Sequence, residues 1–305
     1  MNHSLIGRGP LSRRGLLAGA GALALAGVSA CDSNRPAPDS SDEPADPNAP
    51  SQGSLEWAVA GDWRAADRAR DVYRHPIETL NFFGLAPRMT VIEFWPGAGW
   101  WTEILAPYLA ANGGTLYAAT FQNTPESDQS LNQIVARFEN RFASNRRLYG
   151  DVRISEFGPT SGPVAPEASA DLVMFMRNLH NWMAAGIAEK AFADAYAALK
   201  PGGVLGIEQH RADAGAVQDP VAANGYVQEA FVKQLAAEAG FAFVAASEAN
   251  ANPADTKDHP FGVWTLPPQS LTAPRGDPPD PEFDRSAYDA IGESDRMTLK
   301  FRKPE

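Results

Sequence analysis

The stretch 91–100 reads Val-Ile-Glu-Phe-Trp-Pro-Gly-Ala-Gly-Trp and constrains this chain more than any other. An apolar run holding one acid ends in a Gly-x-Gly turn. The residues after it, 101–111, have the spacing of a helix closed by Asn112-Gly113-Gly114. A continuous apolar run of this length is the pattern of a strand buried on both faces. Gly97 and Gly99 lack a Cβ, so the turn accepts positive φ and lets a ligand come close to the backbone. The helix that follows points its free N–H groups into the same space. Strand, acid, glycine turn and helix start together form the frame of a nucleotide-type ligand site.

The rest of the chain continues the alternation. Runs at 116–121, 152–157, 171–176, 204–208, 241–246 and 298–302 read as further strands. Segments 55–80 (interrupted near Gly61), 127–143, 187–199 and 221–239 read as helices. This predicts an α/β fold: a mostly parallel seven-stranded sheet with helices on both faces and an antiparallel last strand. Ligands of such sheets bind outside the carboxyl ends of the strands.

The ends of the chain are a separate matter. Ser12-Arg13-Arg14-Gly15-Leu16-Leu17 is a twin-arginine start, followed by an uncharged apolar stretch too short to span a membrane. It closes on Val28-Ser29-Ala30-Cys31. This has the form of a lipobox, with Cys31 lipidated as the mature N-terminus; an ordinary cleavage site with an incidental cysteine is the other reading. Residues 1–30 are thus expected to be an export signal and the protein a lipoprotein on the periplasmic face of a bacterial membrane. Residues 31–53 are Pro-, Asp- and Ser-rich and read as a disordered tether. Residues 54–305 are expected to form one domain. Cys31 is the sole cysteine, so the folded part has no disulfide framework, no Cys-ligated zinc and no thiol nucleophile. The net charge is −11, and the leader holds Arg8, Arg13 and Arg14 but no acid, which leaves −14 for the remainder. That balance argues against a nucleic-acid partner and against electrostatic membrane binding, leaving only the lipid anchor.

With these motifs in order, the chain resembles the class I S-adenosylmethionine (SAM)-dependent methyltransferases, with their Rossmann-like fold, over about residues 56–303. The residues that match are Glu93, Gly97 and Gly99 of the acid–glycine turn, Ala170-Asp171 opening the fourth strand, Leu199-Lys-Pro-Gly-Gly203 before the fifth, and Ala239-Gly240-Phe241 before the sixth. More narrowly, the stretches beginning at Glu93, Asp255 and Ala290 resemble an uncharacterised group of exported bacterial predicted methyltransferases. The resemblance implies SAM as cofactor and a small or medium-sized acceptor. It implies cofactor contacts from Glu93, Trp95, Gly97 and Gly99, and from Arg177 and Asn178 after the fourth strand. Two departures stand out. Trp95, followed by Pro96, replaces the family's first turn glycine. The ribose-binding acid at the end of the second strand is absent, leaving Thr120 or Gln122 as weaker acceptors.

Three segments are expected to meet at the ligand edge: 177–182, 208–211 and a long, lid-like connection at about 247–295. His180 and His210 are the candidate proton acceptors, or else structural histidines. Trp95 and Trp182 either face the ligand or pack in the core. Glu93 either binds cofactor or suits the helix dipole. Asp258, His259 and Trp264 are the connection's candidates for acceptor binding. Three histidines beside acids raise the question of a metal, but no tight ligand spacing appears and none is assigned. Arg68, Asp71, Arg74, His75 and Glu78 form either a solvated, paired helix face or a cap over the pocket. The remaining alternative is a non-catalytic binding lipoprotein on a diverged methyltransferase fold.

Overall fold

The computed structural model describes residues 49–124 and 129–305. The export signal, Cys31 and the tether up to residue 48 lie outside the described residues. Seven strands form one sheet in the order β3-β2-β1-β4-β5-β7-β6. They are β1 (Thr90–Phe94), β2 (Thr115–Phe121), β3 (Arg153–Phe157), β4 (Ala170–Met176), β5 (Leu199–His210), β6 (Ala242–Ser247) and β7 (Arg296–Arg302). All pairs are parallel except β5–β7 and β6–β7. The expected class and antiparallel last strand are therefore observed.

Helices cover both faces. One face carries α1 (Leu55–Ala60), α2 (Asp71–Arg74), α3 (Pro76–Phe83), α4 (Thr102–Ala111), α5 (Gln129–Ser144) and α6 (Arg146–Tyr149). The other carries α7 (Leu179–Ala184), α8 (Ala188–Ala198) and α9 (Glu229–Glu238). A short α10 (Ser286–Ile291) precedes β7. Two apolar clusters follow from this layering, one centred on Leu105, Phe138 and Met174, the other on Phe94, Phe175 and Trp182. α4 is buried along most of its length, so its apolar residues need no one-sided stripe.

Two expected helices change. The segment 55–80 is not one helix: it breaks at Gly61, passes through two 3₁₀ turns, and breaks again at His75, whose φ is 41°. The predicted helix 221–239 begins only at Glu229. Asp219 accepts the Val221 and Ala223 N–H groups in a turn, and Gly225 has φ 83°. Val227 then donates to His210 and accepts from Ala212, so the segment runs beside the end of β5 instead of coiling.

Because β7 runs against β5, its first residue, Arg296, pairs with the last of β5, His210. The start of β7 therefore lies at the sheet edge where β1, β4 and β5 end. Asp171 fixes the opposite edge: it accepts the Thr90 N–H at 2.8 Å and pairs with Lys200 at 2.6 Å.

Candidate functional site

A cavity of about 340 Å³ opens at the carboxyl ends of β1, β4 and β5. Its lining brings together Glu93, Trp95, Gly97, Arg177, Asn178, His180, His210 and Trp264 from the sequence candidates. It adds Arg74, which the cap reading puts over the pocket, and Asp67, Arg70, Trp100, Trp101, Glu293 and Ser294, none of which is singled out in the sequence. Thr120, Gln122, Gly99, Asp258 and His259 lie outside the lining.

The glycine turn divides its labour. Gly97 has φ 61° and open space where a Cβ would stand, so it leaves room for a ligand. Gly99 has φ 91°, and a Cβ there would come within 2.4 Å of Phe142. Its glycine character serves the approach of α5 to the turn, not the cavity. Asn178 holds the turn from the other side, donating to the Trp95 carbonyl at 2.9 Å.

Glu93 is buried beneath the turn and accepts the Thr102 hydroxyl at 2.6 Å. Burial pushes its pKa up to about 7, against the lowering effect of that hydrogen bond. Its hydrogen bond to α4 goes through a side chain at the helix start, so it is more than a bystander in the dipole.

Trp95 stands where the family pattern has glycine, and its φ is 45°. The indole Nε1 donates to the Phe157 carbonyl at 2.8 Å, and the ring packs 4.6 Å from Phe121 and 5.9 Å from Trp182. It therefore lies over the ends of β2 and β3. The polar groups there are turned to the protein. Thr120 donates to the Ser155 carbonyl at 3.1 Å, and the Gln122 amide is bonded to Thr160. Trp182 itself is fully buried among Phe94, Phe157 and Phe175, which is the core-packing alternative.

Both histidines are buried. His180 is hydrogen-bonded through Nδ1 to the Gln209 side-chain amide at 3.2 Å, and burial lowers its pKa to about 4. His210 is hydrogen-bonded through Nδ1 to Ser294 Oγ at 2.5 Å, and burial drives it well below the ordinary histidine range. The rings stand 5.3 Å apart. Both are neutral at pH 7, and groups so reluctant to take a proton are weak general bases.

The connection from β6 to β7 supplies a wall with Val263, Trp264, Leu266 and Gln269. Its polar residues mostly stitch the connection down. Asp255 accepts from Tyr226 at 3.0 Å, His259 at 2.8 Å and the Asp295 N–H at 2.8 Å. Asn252 donates to the Ile291 and Glu293 carbonyls. Asp258 is exposed and bonded to Thr256. His259 and Asp258 thus serve the connection's own structure rather than the cavity.

The five residues of the first helical segment do not share one face. Arg74 is fully buried and lines the cavity, as in the cap reading, whereas Arg68 and Glu78 are exposed, Asp71 pairs with Arg64 and His75 is bonded to Asn250. The Arg74 guanidinium stacks 4.5 Å over Trp100 and its Nε donates to Glu293. Glu293 also takes Arg70 at 2.8 Å, Arg177 at 3.4 Å and Arg296 at 2.8 Å. Among the described residues no group of three or more His, Cys, Asp and Glu is placed to hold a metal ion.

The solved structures similar to this chain include a SAM-dependent methyltransferase from Aquifex aeolicus, 19% identical over 61% of this chain and 89% of that one, with a TM-score of 0.47. The [4+2]-cyclase SpnF is 17% identical over 76% and 80%, with a TM-score of 0.48. The 1,6-didemethyltoxoflavin-N1-methyltransferase of Burkholderia thailandensis is 14% identical over 86% and 94%, with a TM-score of 0.44. No protein-family model and no curated protein sequence matches the chain. At these identities the strand order, and not the likeness, establishes the fold.

Proposed function

We propose that this chain is a SAM-dependent methyltransferase of a small or medium-sized acceptor, exported and lipid-anchored through Cys31. The observation that carries the reading is the position of the cavity. It sits over the Gly97 turn with Glu93 buried beneath it and Asn178 beside it, at the sheet edge where ligands of this architecture bind. Two solved structures of like fold are named as methyltransferases, and one of them holds S-adenosylhomocysteine (SAH).

The residues fit half of the cofactor. Gly97, Glu93 and Asn178 suit a methionine moiety. When bound, SAM supplies an electrophilic methyl group, so the protein's work is chiefly alignment of the acceptor. His180 and His210, neutral and hydrogen-bonded, orient rather than deprotonate. The ribose would lie at the end of β2, and there the Trp95 indole is in place. Admitting it requires Trp95 to swing and give up its bond to Phe157.

That same tryptophan favours a second reading, a binding lipoprotein on a diverged methyltransferase fold. Export supports it too, because SAM is made in the cytoplasm and a single carried molecule gives a single turnover. Titration calorimetry of SAM and SAH with the full-length chain separates the two. Micromolar binding, lost in Glu93→Ala, is expected for the methyltransferase; a folded protein silent at millimolar concentration is the binding lipoprotein.

A further inference from the structure

The cavity wall formed by α2 and the end of β4 holds more guanidinium donors than acceptors. Arg74 spends its Nε on Glu293 at 3.2 Å, while its Nη1 and Nη2, both buried, have no hydrogen-bond partner. Stacking on Trp100 fixes the plane of that guanidinium without accepting an N–H. Arg177 gives Nη1 to Glu293 at 3.4 Å and leaves its buried Nε without a partner. Arg70 reaches Glu293 at 2.8 Å. Behind them Arg296 stands 2.6 Å from Glu208 and 2.8 Å from Glu293. Four guanidinium groups thus share two buried carboxylates.

Two other acids line the cavity and do not close this gap. Asp67 lies 3.7 Å from Arg141, which also pairs with Glu103. Glu93 is bonded to Thr102. Satisfying Glu293 accounts for one nitrogen of each arginine around it. It does not account for the two terminal nitrogens of Arg74. Buried donors in native proteins have acceptors, and the planar fork of arginine matches the oxygens of a carboxylate or phosphate two at a time.

We propose that Arg74, flanked by Arg70 and Arg177, is a subsite for an oxyanion, a carboxylate or phosphate, carried by the acceptor. The acceptor is then an anion whose charged end lies on this wall and whose reacting end faces the Gly97 turn. Assignment of the oxyanion to an acceptor rests on the methyltransferase reading; the subsite itself does not.

The test is titration calorimetry of the full-length chain with inorganic phosphate and with succinate, with and without saturating SAH. Wild type, Arg74→Gln and Arg177→Gln are compared after a melting curve confirms that each is folded. The expected result is saturable binding of at least one anion, undiminished by SAH and weakened about tenfold or more in each variant. Arg177 is less buried than Arg74, so Arg177→Gln carries the comparison if Arg74→Gln does not fold. A folded wild type that binds neither anion at about 50 mM overturns the proposal. Binding that the variants leave unchanged also overturns it. Displacement of the anion by SAH overturns its assignment to the acceptor and gives the arginines to the cofactor's own carboxylate. Anion binding in a protein that takes no SAH upholds the subsite and removes the methyltransferase reading.

Discussion

Glu93 titrates near 4.5 in an unfolded chain and near 7 beneath the turn. Between those values the folded protein holds more protons than the unfolded one, so stability falls as pH rises through the window. Above pH 7 the full cost remains, about 3 kcal/mol for a group this buried. Glu93→Gln removes the charge and keeps an acceptor for Thr102. It is expected to gain about 2–3 kcal/mol over wild type in urea denaturation at pH 8 and nothing at pH 4. An equal gain at both pH values would show that burial of charge is not the cause. His180 acts in the other direction. Its pKa falls from 6.5 to about 4 on folding, so its contribution is present above pH 6.5 and is lost as pH falls towards 4. His180→Asn should flatten the acid limb of the stability curve by up to about 1.4 kcal/mol per pH unit between those values. Glu93 and Gly97 could be read from the sequence because their neighbours in sequence are their neighbours in the site, and Asn178 because it follows β4, the strand that pairs with β1. Arg74 was legible only as one member of a candidate cap: helical spacing put it with Asp71 and Glu78 on one face, and the left-handed His75 between α2 and α3 breaks that face.

The strand–turn–helix element explains why a family pattern locates a site without describing it. Its two glycines look alike in sequence, yet Gly97 faces open space and Gly99 faces Phe142. Gly99→Ala adds a clash to a strained φ and should cost about 2–4 kcal/mol of stability, while Gly97→Ala carries the φ strain alone, about 1 kcal/mol. Thermal melts of the two variants measure the difference, and equal losses would mean that Phe142 moves aside freely. Trp95 tests the other half of the element. Trp95→Gly suits φ 45° and clears the ends of β2 and β3, at the expense of its contacts with Phe121 and Trp182. SAH affinity should rise about tenfold or more in this variant if the indole obstructs adenosine. Unchanged or weaker binding would make the indole a stacking surface instead. Sequence spacing named Trp95 as a departure, but which way its ring points was set by Phe157, 62 residues later, and no local pattern reports that.

For the molecule as a whole, the alternation of strands and helices was legible because buried parallel strands are long apolar runs with clear punctuation. The connection of about 247–295 was not, since its length reads as a lid over the site. In the structure the connection begins and ends at the ligand edge as expected, but buried polar groups tie it to the body. Asn250 donates to Thr79 and Thr298, Asp255 joins Tyr226, His259 and the Asp295 backbone, and Val263 donates to the Asn224 carbonyl. A partly satisfied network of this kind would cost stability, whereas a satisfied one fixes a single arrangement. The half of the connection up to Leu266 is therefore a fixed wall of the cavity, and the lid reading is left with the exposed residues 274–282. Hydrogen exchange decides this. The amides of Val263, Leu266 and Asp295 should exchange about a thousandfold slower than unprotected amides, at rates close to those of β6. In Asp255→Ala the protection of 252–266 should fall while that of β1 and β4 stays. Fast exchange throughout 248–295 in the wild type would restore the lid and make the cavity a gated one.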